Sequence, residues 1–289
     1  MESEQGQNQG HQKKINRGRG GQKKYRGRYR GAQNYYQNAN YNRGFPQQNQ
    51  YLNPFFQQQM LYRTEMYICS RYRNLIDINS KNASLYETID SNSKFFVIKS
   101  FSEEDVHKSI KYGVWSSSKN GNLTLSNAFQ MTKEKNGTVF LFFSCNGSGR
   151  YCGVARMKTP CNENRTFEFW TQDGKWTGLF DVEWILIKDV PFKEFKNIII
   201  TMKDGEIKPI SNSRDTQEIP FDQARIMLEI MSKYQNKNTI LEHFEFYDMR
   251  QENYEKNMEA KKNYENQKNQ EQQKENNNEK KNEEDKKDN

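Results

Sequence analysis

Histidine is nearly missing from this 289-residue chain, with three in all and only His107 and His243 outside the Gln- and Asn-rich start. The four cysteines, Cys69, Cys145, Cys152 and Cys161, form no C-x-x-C pair. Both scarcities argue against a zinc site of ordinary ligand spacing, and the thiols read as reduced, mostly buried side chains of an intracellular protein. No apolar run approaches the ~18 residues that a membrane span needs, and no signal-peptide core is found. The longest apolar stretch, Val139-Phe140-Leu141-Phe142-Phe143, has the length of a strand. A soluble chain with no membrane partner is expected.

Catalytic motifs are missing too. Asn146-Gly147-Ser148-Gly149 is glycine-rich, yet it lacks the Lys-Ser/Thr that a phosphate loop requires and reads as a turn. Neither His107 nor His243 stands beside a nucleophile elbow or a ligand cluster. Carboxylate pairs occur, but 28% charged residues produce such pairs by chance. The sequence is expected to encode neither an enzyme nor a cofactor-binding protein.

Hydrophobic residues make up only 33% of the chain, so part of it lies outside any packed core. The deficit is local. Residues 1–60 are rich in Gln, Asn, Gly, Tyr and Arg, and residues 249–289 are almost wholly Lys, Glu, Asn and Gln. Residues 1–50 carry ten Lys and Arg against two acids, which alone equals the net +8. The middle is nearly neutral, so a basic pI says nothing about its partner. Composition therefore divides the chain into a disordered arm over 1–90, a folded domain over 91–248 and a charged tail over 249–289. In the arm, Arg17-Gly18-Arg19-Gly20-Gly21 and Arg26-Gly27-Arg28-Tyr29-Arg30-Gly31 combine cations and stacking rings without a core. Such a segment either binds RNA or itself, or is a solvated spacer. The tail reads as solvated and partly helical.

The middle predicts a mixed α/β domain. Lys94–Lys99 is a strand, and Ser102 caps a helix that puts Val106 and Ile110 on one face. Strands follow over 138–144 and 151–157 across the Asn146–Gly149 turn. Two more are expected over Phe180–Val190 and Asn197–Thr201. Pro220–Tyr234 reads as an amphipathic helix with Ala224, Met227, Leu228 and Met231 inward. A last short helix is expected over 238–248.

Four tryptophans stand in this domain. Trp184 falls inside the strand pattern Val182–Ile187 and reads as core. Trp115, Trp170 and Trp176 sit among polar and glycine residues. A loop tryptophan can serve as a lid over a core edge, but three together point to a binding surface.

From here the sequence resembles a known family. Lys94-Phe95-Phe96-Val97-Ile98-Lys99-Ser100-Phe101-Ser102-Glu103-Glu104-Asp105-Val106-His107-Lys108-Ser109-Ile110-Lys111-Tyr112 is similar to the opening of the YTH domain. Asn146-Gly147-Ser148-Gly149, Phe180-Asp181-Val182-Glu183-Trp184 and Lys208-Pro209-Ile210-Ser211-Asn212-Ser213-Arg214-Asp215-Thr216-Gln217-Glu218 continue the likeness in the same order. The run Asn212–Glu218 resembles the cytoplasmic DF branch and its plant relatives. The resemblance implies an open, β-barrel-like mixed sheet surrounded by helices, with disordered flanking arms. It also implies a reader of N6-methyladenosine in single-stranded RNA that regulates methylated transcripts in the cytoplasm, with the nucleus as a second location. RNA-decay or translation factors would then be recruited through the arms.

By the same resemblance, Trp115 and Trp170 flank the methyl group and Trp176 stacks on the purine. The backbone at Phe101 and the side chain of Asp105 meet ring nitrogens, the Ser116 carbonyl accepts the N6 hydrogen, Ser100 joins the site, and Asn146 lies at its rim. Lys99, Lys208 and Arg214 hold the phosphate backbone. One departure is plain: the family usually has four residues between the second and third tryptophan. Here Trp170 and Trp176 are separated by five, with Gly174 as the apparent insertion.

The chemistry suits a neutral base, which needs flat apolar walls rather than the carboxylates of a methylammonium cage. One buried methyl contributes about 0.8 kcal/mol and one stacked base roughly 1–3 kcal/mol. Discrimination of about tenfold is then expected, and the base must be unpaired to enter. Two other readings stay open: a reader of N6-methyladenine in single-stranded DNA, and a scaffold that condenses through its arms.

Overall fold

In a computed structural model, residues 54–284 are described, apart from 173, 203–204 and 236–238. The arm over 1–53, with its Arg-Gly repeats, lies outside them. In chain order the elements begin with helix α1 (Pro54–Arg71), the single-turn α2 (Ile78–Lys81), strand β1 (Lys94–Ser100), helix α3 (Glu103–Tyr112) and strand β2 (Val114–Trp115). Helix α4 (Lys119–Lys133) precedes β3 (Val139–Cys145), β4 (Arg150–Met157) and β5 (Phe180–Pro191). Strands β6 (Ile199–Thr201), β7 (Ile207–Pro209) and β8 (Gln217–Ile219) are short, and helices α5 (Phe221–Lys233) and α6 (Phe244–Glu284) complete the order.

Six strands form one mixed sheet in the order β2-β5-β4-β3-β1-β8, and β6 pairs only with β7. Its centre is the parallel pair β1–β3, in register from Lys94↔Val139 to Ser100↔Cys145; the other neighbours are antiparallel. Register shifts between Phe143 and Ser144 and along β4 bend the strands, and the sheet curls into an open half-barrel with helices against it.

The near-continuous apolar runs of β1 and β3 have a simple cause: both faces are covered. Phe96, Ile98, Leu141 and Phe143 face one core with Val106 and Ile110 of α3, whereas Phe95, Val97, Phe140 and Phe142 face another with α5. Ala224, Met227, Leu228 and Met231 are the buried face of α5, as their spacing predicts. Trp184 is buried in the first core, its indole Nε1 donating to Ser109 Oγ.

Two differences from the sequence reading concern the flanks. Residues 58–90, which composition assigns to the arm, bury Ile68, Leu75 and Ile78, because an average over 1–90 hides three aliphatic anchors. The short helix expected over 238–248 is a 3-10 turn, Ile240–His243, running into the 41-residue α6. No helix of the described residues is long and apolar enough to cross a membrane.

Helices α1, α3 and α6 meet at one carboxylate. Asp248, with a side chain only 1% exposed, accepts hydrogen bonds from Tyr67 and Tyr72 hydroxyls at 2.6 Å each. Lys111 Nζ lies 2.6 Å away and His107 Nε2 3.1 Å away. Arg63 with Glu245 and Arg71 with Glu252 extend the α1–α6 contact along its solvent side.

Candidate functional site

The tryptophans are set by the ends of elements rather than by their middles. Helix α3 stops at Gly113, whose left-handed φ of 65° turns the chain directly into β2. Pairing of Trp115 with Phe180 on β5 then fixes its backbone. The Trp115 ring meets Phe143 edge-on at 5.0 Å and Trp170 at 5.4 Å with planes at 72°. Trp170 comes from the loop between β4 and β5 and packs on Phe167 at 4.7 Å.

What anchors that loop is Asp105. Its two carboxylate oxygens accept from Thr171 N–H at 2.9 Å and Thr171 Oγ at 2.7 Å, one residue beyond Trp170. The cap of α3 works through the other half of the residue, since Asp105 N–H donates to Ser102 Oγ. Asp105 thus serves the helix end with its backbone and the tryptophan loop with its carboxylate.

Between these groups lies a narrow cleft, open to solvent and lined by Lys99, Ser100, Phe101, Asp105, Trp115, Ser116, Ser117, Trp170, Trp176 and Asp215. Eight of the residues singled out in the sequence meet here. Trp115 and Trp170 are 5% and 7% exposed, and among the described residues their indole N–H groups have no hydrogen-bond partner. Trp176 is half-buried at the mouth. The Lys99 ammonium leans over Phe192 at 4.8 Å and Tyr151 at 5.7 Å, and burial lowers its pKa.

Three named residues are not part of this lining. Asn146 is exposed, and its N–H donates to the Ser100 carbonyl at 2.9 Å, which ties the turn to the cleft wall. Lys208 lies on β7 in an ion pair with Glu206. Arg214 is exposed, immediately before Asp215.

Ser117 and Asp215 were given no role by the sequence. Asp215 accepts from Lys99 N–H at 2.9 Å and Ser117 Oγ at 2.6 Å, and burial raises its pKa despite these bonds. The next residue, Thr216, is β-branched and yet stands at φ 55°. Such a conformation costs about 1–3 kcal/mol and persists only when neighbours impose it. Here Thr216 N–H is tied to the Val97 carbonyl at 2.8 Å, so the strain holds Asp215 against the cleft. The one available signal was that Asp215 falls inside the Asn212–Glu218 run.

Residues 93–232 match the family described as the YT521-B-like domain, YTH. The chain carries a YTH domain. YTH domain-containing family protein 2 of Danio rerio is 43% identical over 178 residues, covering 62% of this chain and 28% of the relative. The YTH domain-containing protein ECT4 of Arabidopsis thaliana is 48% identical over 161 residues, covering 55% of this chain and 26% of the relative. The matched part is thus about a quarter of each of these relatives, which together represent the DF-type and plant branch that Asn212–Glu218 resembles. Among solved structures, the YTH domain of Zygosaccharomyces rouxii MRB1, in complex with N6-methyladenosine RNA, is 38% identical with a TM-score of 0.47, covering 52% of this chain and 94% of that one.

Gly174 is exposed at φ 64°, and a Cβ there would meet nothing within 4 Å.

Proposed function

We propose that this YTH domain reads N6-methyladenosine in single-stranded RNA, holding the methylated base in the cleft of Trp115, Trp170 and Trp176. The observation that carries the reading is the pair of buried indoles with planes at 72°, lining one cleft, with a third indole beside them. Trp115 and Trp170 would bound the methyl group and Trp176 would stack on the purine. The Ser116 carbonyl would accept the N6 hydrogen and the Phe101 backbone would meet a ring nitrogen, while the Asp105 carboxylate, already accepting from Thr171, would hold the tryptophan loop beside the base. Membership of a binding-domain family accords with a reader rather than an enzyme. The DF-type likeness favours action on cytoplasmic messenger RNA, with decay or translation factors recruited through the arms.

Two carboxylates in the lining invite comparison with a methylammonium cage. Both are engaged within the chain, however, Asp105 by Thr171 and Asp215 by Ser117 and Lys99. A neutral base is the better fit.

The test is a side-by-side titration of one short sequence as methylated RNA, unmethylated RNA and methylated single-stranded DNA, with a trimethyl-lysine peptide alongside. Methylated RNA is expected to bind about tenfold tighter than its unmodified form, and the peptide not at all. Equal binding of both RNAs would remove the reading, and preference for the DNA would reassign the substrate.

Two further outcomes follow. Lys208→Ala and Arg214→Ala should weaken methylated and unmethylated RNA equally, since phosphates carry no methylation signal. Arg214→Ala should also lower the salt dependence by about 0.7 in the log–log slope per lost phosphate contact on a single strand. Lys208 is paired with Glu206, so its variant should show the smaller change. Separately, deletion of Gly174 should leave methyl preference intact or sharpened, because the residue projects outward. Complete loss of preference would mean that the cleft depends on the longer loop.

A further inference from the structure

The cleft as described makes no use of the Phe101 ring or of Lys175. Phe101 is 52% exposed at the mouth, and its ring lies 5.5 Å from that of Trp176 at 46°. Lys175 Nζ stands 3.8 Å from the Phe101 ring centroid and 4.7 Å from that of Trp176. No ion pair of Lys175 occurs among the described residues, so two aromatic faces hold this cation in place of a carboxylate. Gly174, in its left-handed conformation with open space around it, lets the loop carry Lys175 over both rings. An exposed aromatic face beside a cation, at the lip of the cleft, is the combination that single-stranded nucleic acids use: a stacking platform and a phosphate contact.

We propose that Phe101 and Lys175 form a second subsite, which takes the nucleotide adjacent to the one in the cleft. The neighbouring base stacks on the exposed Phe101 face, and Lys175 pairs with the phosphate that joins the two nucleotides. Stacking tolerates any base, so this subsite adds affinity for a strand over a lone nucleoside without adding a sequence preference. The proposal rests on the reader reading above.

The experiment uses the full chain with three probes: N6-methyladenosine nucleoside, and the same nucleoside extended by one nucleotide on its 5′ or its 3′ side. Wild type should bind one of the extended probes roughly tenfold tighter than the nucleoside. Lys175→Ala should leave nucleoside binding unchanged and reduce that gain, with a shallower salt dependence. Phe101→Ala should remove most of that gain, and Phe101→Tyr should restore it. An unchanged ratio in both alanine variants overturns the subsite while leaving the reader reading intact. Failure of wild type to bind any of the three probes overturns the reader reading, and the subsite with it.

Discussion

Trp170→Ala is expected to abolish the preference for methylated RNA, and Trp115→Ala to do the same. Each change removes one of two indoles that stand at 72° with centroids 5.4 Å apart, leaving wettable space where a methyl group would be enclosed. The expected ratio of methylated to unmethylated affinity falls from about tenfold to near unity, since one enclosed methyl contributes only about 0.8 kcal/mol plus its share of a dry fit. Trp176→Ala should behave differently. In the proposed reading this ring stacks on the purine rather than on the methyl, so its loss should weaken both forms together by about 1–3 kcal/mol. Trp115 and Trp170 are also buried against Phe143 and Phe167, and truncating such rings typically costs about 3–5 kcal/mol of stability. Each variant is therefore read beside its melting curve, and only folded protein is titrated. A Trp115 or Trp170 variant that folds and keeps its methyl preference contradicts the cleft's assigned geometry at that wall.

A loss of stability as large as that of the tryptophan variants is expected at Asp248→Ala. Removing this carboxylate strands four donors at once, from Tyr67, Tyr72, His107 and Lys111. Breaking a buried charged pair typically costs about 3–5 kcal/mol, and chemical denaturation checks the figure. Asp248→Asn retains one acceptor oxygen and should cost less. Burial alone would raise the Asp248 pKa, but hydrogen bonds from His107, Lys111, Tyr67 and Tyr72 outweigh it and hold the carboxyl well below the usual range. Its stabilisation is therefore complete above the unfolded carboxylate pKa and is lost as pH falls towards the folded value. His107 acts in the same direction: burial lowers its pKa, so unfolding takes up a proton below about pH 6.5. The difference in stability between wild type and Asp248→Ala should be constant near neutrality and shrink at acid pH. A difference that stays unchanged down to strongly acid pH would mean that the Asp248 charge is not what anchors α1 and α6.

Much of the core could be read from residues because both of its patterns are regular. Phe95 to Ile98 alternate between two covered faces, Ser102 caps α3, and the four inward residues of α5 recur at helical spacing. Helix α4 was invisible for the opposite reason. Its sequence Lys-Asn-Gly-Asn-Leu-Thr-Leu-Ser-Asn-Ala-Phe-Gln-Met-Thr-Lys is poor in helix formers, and only Leu125, Ala128 and Thr132 mark a buried stripe beyond its first turn. Tertiary bonds compensate: Ser118 caps it, and Asn122 reaches Ser117 N–H and the Thr177 carbonyl. Strands β2 and β8, of two and three residues, are too short for any period to register.

The site divides in the same way. Tryptophans on polar loops announced themselves by being expensive to expose, and the family resemblance supplied roles for the residues around them. Asp215 and Ser117 did not stand out, because a polar residue in a polar run carries no pattern. Their placement depends on Thr216 held at positive φ and on contacts between residues about 100 positions apart. The anchoring of Trp170 through Asp105 and Thr171 is likewise a contact across the chain, 66 residues apart.

The central claim is that the methylated base itself enters the cleft of three indoles. The chain's four tryptophans give four indole N–H signals in a nitrogen-15 spectrum, with Trp184 as an internal reference held by Ser109. On titration with N6-methyladenosine, the signals of Trp115, Trp170 and Trp176 should shift along one saturating curve while Trp184 stays in place. Adenosine should shift the same three at about tenfold higher concentration. Saturable binding that leaves Trp115 and Trp170 unmoved, or that moves them identically for both nucleosides at the same concentrations, would contradict it.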